Sequence, residues 1–132
     1  MSKLVWYVAV GSAIGGVARL LLGTFIQQKA GTSFPLGTLV INITGSLVLG
    51  FLIRYAWGTP GITSEMRAML TTGFCGGYTT FSTFSFETAT LIEDGRYERA
   101  SLYILLSVSV ALLGTFGGFA AARQLLAFRA NA

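Results

Sequence analysis

The sequence predicts an all-α membrane protein: one domain, residues 1–132, with four transmembrane helices, the third broken near residues 76–80. Composition is the first reason. Only 11% of residues are charged and 53% are hydrophobic, with a mean hydropathy of +0.69. Soluble domains carry about 25% charged residues, so this chain could not clothe a water-facing surface. Span length is the second. Four apolar stretches, about 4–26, 35–57, 66–92 and 100–126, are each near the ~20 residues that a helical crossing needs. The links QQKAGTS, GTPGITSE and EDGRYER are short and leave nothing for a soluble domain. The third reason is local: helix breakers and hydroxyls crowd the middle of the third stretch.

The first stretch opens as MSKLVWYVAVGSAIGG, with a lone Lys3, an apolar run and small residues, as in a signal peptide. The apolar pattern continues to about Ile26 and no polar mature domain follows, so it reads as a retained first crossing. The second stretch begins at Pro35, which suits a helix start. The first and fourth stretches hold the pairs Gly11/Gly15 and Gly114/Gly118, a spacing that lets helix backbones approach closely in lipid. Packing that tight leaves little room for a pore inside a single chain.

The third stretch contains GFCGGYTTFSTFSFE, residues 73–87. Gly73, Gly76 and Gly77 each weaken a helix by about 1 kcal/mol. Thr79, Thr80, Ser82 and Thr83 follow, and such residues hydrogen-bond locally in competition with the helix. A break is the expected result, and non-helical backbone at membrane depth must be surrounded by protein or line a watery cavity. Its freed carbonyls suit a hard cation. Phe81 and Phe84, three apart, share a face, with Ser82 and Ser85 beside them. Those rings either pack or turn their positive edges toward an anion.

Other polar groups stand inside the spans. Asn42, in LVINITGSL, either bridges helices or donates to a permeating anion, because an unpaired amide in hydrocarbon is costly. Tyr103, Ser107 and Thr115 follow a four-residue spacing, with Ala111 in the gap, and give an interrupted polar stripe. Arg19 and Glu87 are charges within or at the edge of spans and are functional candidates for that reason. Glu87 is also near enough in sequence to Arg96 and Arg99 for a structural pairing. Lys3, Arg54, Arg67, Arg123 and Arg129 fall on one side of a four-span chain, and Arg19, Lys29, Arg96 and Arg99 on the other. So even a distribution fits either insertion in both orientations, which permits an antiparallel homodimer, or a single topology.

At this point the chain resembles a known family. GFCGGYTTFSTFSFE, with GTLVINITGS and GGVARLLL, is similar to the Fluc (CrcB-type) bacterial fluoride channels, and the likeness extends through length, four-helix layout and motif order. The resemblance implies a dual-topology antiparallel homodimer with two pores, passively exporting toxic fluoride across the bacterial inner membrane and rejecting chloride. It implies a structural sodium ion at the dimer centre, held by the backbone carbonyls of Gly76 and Thr79 from each subunit. It places Phe81, Phe84, Asn42, Tyr103, Ser107 and Thr115 along the pore, with Ser82 and Thr83 contributing. Arg19 resembles the vestibule arginine of such channels, and Glu87 the acidic residue that closes the motif.

Several classes are excluded or disfavoured. The nine basic residues are scattered singly, without the basic stripe of a nucleic-acid binder. There is no histidine, and the lone Cys75 admits no intrachain disulfide and reads as a packing residue. No nucleophile–base pair or phosphate loop argues for an enzyme. A small dual-topology proton-coupled multidrug exporter is the alternative, but its mechanism needs a titratable carboxylate within the bundle, and only Glu87 is offered. A non-transporting membrane scaffold would show no ion flux.

Overall fold

The computed structural model describes all 132 residues. The chain is all-α. It runs through α1 (Ser2–Ala30), α2 (Leu36–Trp57), a composite third crossing and α6 (Tyr97–Ala130). The third crossing comprises α3 (Ser64–Ala68), a π-helical stretch (Met69–Cys75), α4 (Gly76–Tyr78) and α5 (Phe81–Glu93). Helices α1, α2 and α6 are each long and apolar enough to cross a membrane unbroken.

Local chemistry sets the ends. Gly31 adopts φ 60°, and its amide returns to the Gln27 carbonyl at 3.3 Å, closing α1 with a left-handed residue that glycine tolerates. Pro35 immediately precedes α2. The Thr63 hydroxyl accepts from the Met66 amide at 3.2 Å and caps α3.

The break spans Thr79 and Thr80, whose backbones are extended (φ −84°, ψ 162° and φ −154°, ψ 115°). The π-helical stretch before it was not expected from the sequence. A wider i→i+5 helix is rare, and its signature is not compositional. It places the third crossing in intimate contact with α1. A Cβ on Gly11 would fall on the Met69 carbonyl oxygen, one on Gly15 on that of Phe74, and one on Gly77 2.6 Å from the Ser12 carbonyl oxygen. A second seam of this kind joins α2 to α6, where a Cβ on Gly118 would meet the Leu47 carbonyl and one on Gly50 that of Thr115. The glycines at these contacts let backbones touch where lipid supplies no hydrophobic drive to association.

The buried core is correspondingly small: Leu39, Leu91, Ala100 and Tyr103, with Phe34 and Phe84 packed on it. Much of the outer face of α1 and α6 (Trp6, Val10, Ile14, Leu105, Leu112, Phe116) is apolar and exposed, as required of side chains whose solvent is lipid.

Candidate functional site

The break is held open by one side chain. Asn42 of α2 accepts from the Thr80 amide through Oδ1 at 2.8 Å and donates through Nδ2 to the Thr80 carbonyl at 3.0 Å. In an unbroken helix the Thr80 amide would close on the Gly76 carbonyl four residues back. Asn42 takes that donor, so the Gly76 carbonyl loses its helical partner. The opposed polarity of the two bonds fixes the amide's orientation, and one Nδ2 hydrogen remains uncommitted.

Thr80 then starts the next helix. Its hydroxyl accepts from the Thr83 amide at 3.2 Å, donates to the Thr83 hydroxyl at 3.0 Å and lies 3.3 Å from that of Ser82. Thr80, Ser82 and Thr83 therefore form one hydroxyl cluster at the mouth of α5. The carbonyl of Thr79 faces the Arg19 guanidinium, which donates to it at 3.4 Å.

Phe81 and Phe84 follow on α5, with ring centroids 5.5 Å apart. Phe84 in turn lies 5.1 Å from Tyr103 of α6. Phe84 is half-buried, whereas Phe81 is 79% exposed on the surface of the chain. At the inner end of this aromatic run the Tyr103 hydroxyl donates to Glu87 Oε2 at 2.6 Å, and the Thr38 hydroxyl of α2 donates to Oε1 at 2.8 Å. Glu87 is thus tied to α2 and α6 by two hydroxyls. The pairing with Arg96 and Arg99 that the sequence allows is not formed: both guanidiniums donate instead to the Ser33 hydroxyl. Thr38 was missed in the sequence, where a lone threonine in an apolar helix has no pattern to mark it.

The helix-six stripe divides. Tyr103 is fully buried. The Ser107 hydroxyl is buried without a hydrogen-bond partner, although a serine in a helix can bond its own backbone. Thr115, twelve residues beyond Tyr103 and so about 18 Å along the helix, donates to the Ala111 carbonyl at 3.2 Å and the Ser46 carbonyl at 3.4 Å. It belongs to the α2–α6 seam and is not gathered with the others.

The groups near the break border a cavity of about 890 Å³ that opens to the surface, with Arg19, Thr38, Thr80, Thr83 and Glu87 among its walls. No cluster of three or more His, Cys, Asp or Glu side chains that could hold a metal ion is present.

Known proteins resemble this chain over most of its length. Residues 6–119 match the family model described as CrcB-like protein, Camphor Resistance (CrcB). The chain is 48% identical over 118 residues to a fluoride-specific ion channel FluC of Geobacter sulfurreducens, covering 89% of this chain and 95% of that one. It is 43% identical over 119 residues to the FluC of Rhizobium meliloti, covering 90% and 95%. It is 42% identical over 118 residues to that of a Roseiflexus species, covering 89% and 95%.

Proposed function

This chain belongs to the CrcB family, and from that premise we propose that it is a fluoride-specific ion channel that lets fluoride leave a bacterial cell down its electrochemical gradient. Relatives named for that activity align over nine-tenths of the chain. The structural observation that best supports the reading is the run from Phe81 through Phe84 and Tyr103 to Glu87, which ends in a hydroxyl cage while its outer member stands exposed.

Fluoride is small, hard and strongly hydrated. A selective path must replace its water with donors in a narrow groove. Ring edges of Phe81 and Phe84 attract an anion weakly, without a fixed charge to trap it. The uncommitted Nδ2 hydrogen of Asn42, the Ser82 and Thr83 hydroxyls and the unpartnered Ser107 hydroxyl supply hydrogen bonds. Tyr103 and Thr38 spend their protons on Glu87, so they serve an anion only by turning away from it. Arg19 raises the local anion concentration in the cavity.

Two copies inserted in opposite orientations complete the pore. Phe81, 79% exposed in one chain, then gains a second wall. The residues at the break also suit a structural sodium ion between the copies. The Gly76 carbonyl is released from its helical partner by Asn42, and the Thr79 carbonyl, which accepts from the Arg19 guanidinium at 3.4 Å, would take sodium in place of that cation. These two oxygens from each chain give four hard ligands of the type sodium takes. The ion would offset the partial negative charge of those carbonyl oxygens.

The test is fluoride efflux from liposomes holding the purified protein, followed with a fluoride electrode against a chloride control. Fast efflux that depends on a potassium ionophore, without chloride flux, is the expected result. Absence of fluoride flux from well-folded protein would overturn it.

A further inference from the structure

We propose that the corner between α5 and α6 is a binding site for the phosphodiester of a membrane phospholipid. Arg96 Nη1 and Arg99 Nη1 donate to the same neutral oxygen, Ser33 Oγ, at 3.1 Å and 2.5 Å. Two guanidiniums drawn to one hydroxyl leave most of their donors unused, and each cation repels the other. Glu93, Asp94 and Glu98 lie within a few residues, yet neither arginine hydrogen-bonds to any of them. A phosphate oxygen pair is the group that a planar guanidinium fork fits bidentately.

The backbone adds to the site. Gly95, at φ 73°, turns the chain sharply into α6, whose N-terminus has no side-chain cap. The first amides of this 34-residue helix therefore point outward at the positive end of its dipole. A surface cavity of about 380 Å³ lies against residues Gly95, Arg96, Tyr97, Glu98 and Arg99. Arginine forks, free amides and a cavity thus coincide at one corner.

The position selects a lipid over a solute. This corner, with Ser33 between α1 and α2, is where four helix ends gather at the edge of the apolar spans, the depth of phospholipid headgroups. Tyr97 is 65% exposed there, in the manner of interfacial aromatics. Below Arg99 the exposed Leu102 and Leu105 continue along α6 toward the bilayer interior and offer a surface to an acyl chain.

The experiment is native mass spectrometry of the detergent-purified full chain, titrated with dioleoyl phosphatidylglycerol, with phosphate-free dioleoylglycerol, and with inorganic phosphate. The phospholipid is expected to remain bound where dioleoylglycerol does not. The Arg96→Ala/Arg99→Ala variant should weaken retention roughly tenfold or more, since each interfacial arginine strengthens such binding severalfold. Lys3→Ala/Arg123→Ala, which removes the same charge elsewhere, should leave it unchanged. Should the double variant fail to fold, Arg99→Gln alone is read for a severalfold loss. Equal losses in the two double variants, or equal retention of both lipids, would overturn the site. Inorganic phosphate binding with the same arginine dependence, while the phospholipid does not bind, would overturn the lipid assignment.

Discussion

Asn42 and Thr80 exchange two hydrogen bonds across 38 positions of sequence, and the exchange is what keeps the third crossing broken. The Thr80 amide and carbonyl, left without helical partners by the break, both find the same carboxamide. Asn42→Ala strips both bonds and leaves two backbone groups unsatisfied at membrane depth. The expected loss is about 1–3 kcal/mol of stability, with fluoride flux abolished or nearly so. Asn42→Asp keeps the acceptor but sets a carboxylate oxygen against the Thr80 carbonyl, so it should lose flux as completely as the alanine. Thermal melts followed by tryptophan fluorescence, run beside liposome efflux, check both. Wild-type flux in either variant would remove Asn42 from the path and from the support of the break.

Phe81 and Phe84 separate lining from packing. Phe81 is mostly exposed within its own chain, so Phe81→Ile should leave the fold of the chain intact, with wild-type helicity by circular dichroism, while flux is lost. Phe84 packs on Tyr103 and the core around Leu39 and Leu91. Phe84→Ala should therefore cost flux and also about 2–3 kcal/mol of stability, toward the lower end for a truncated aromatic because the ring is only half-buried. Normal efflux in Phe81→Ile would take the exposed ring out of the pathway.

The α1 seam yields a stability prediction that involves no pore residue. A Cβ on Gly15 would meet the Phe74 carbonyl oxygen, which is backbone and cannot rotate aside. Gly15→Val should push α1 from the third crossing and lower stability by at least the ~1–3 kcal/mol typical of overpacking. Gly16→Val, whose Cβ meets nothing within 4 Å, is the matched control and should behave as wild type. Melting curves that coincide for the two variants would contradict the seam.

The sequence announced the break because glycine and threonine disfavour a helix through their own backbone and side-chain chemistry, and the spans because hydropathy is a local property. Asn42 was legible as costly, but whether it bridged or lined was not, because its partner lies 38 residues away. The π-helical stretch leaves no compositional trace. The Glu87 partners were not legible: nearness in sequence allowed Arg96 and Arg99, whereas α5 sets Glu87 against Thr38 and Tyr103 while those arginines meet Ser33. Thr115 keeps the periodicity of the stripe, but its bonds to the Ser46 and Ala111 carbonyls were not legible, since four-residue spacing fixes a helix face and not the depth along it.

Glu87 also decides between the channel and a proton-coupled exporter. Its carboxylate is held by the Thr38 and Tyr103 hydroxyls, half-buried beside the cavity. An exporter would need this group to load and release protons in each cycle. Glu87→Gln would then abolish transport, and a proton gradient would drive it in the wild type. In a channel the carboxylate orients two hydroxyls. Glu87→Gln keeps an acceptor for one of them and should reduce fluoride flux without abolishing it. Tyr103→Phe, which leaves Glu87 one partner short, should cost about 1–3 kcal/mol of stability together with flux. Efflux driven by a potassium diffusion potential at equal pH on both sides is the expected behaviour of wild type and of Glu87→Gln alike. Flux that appears only with an imposed pH gradient, and vanishes in Glu87→Gln, would replace the channel with the exporter.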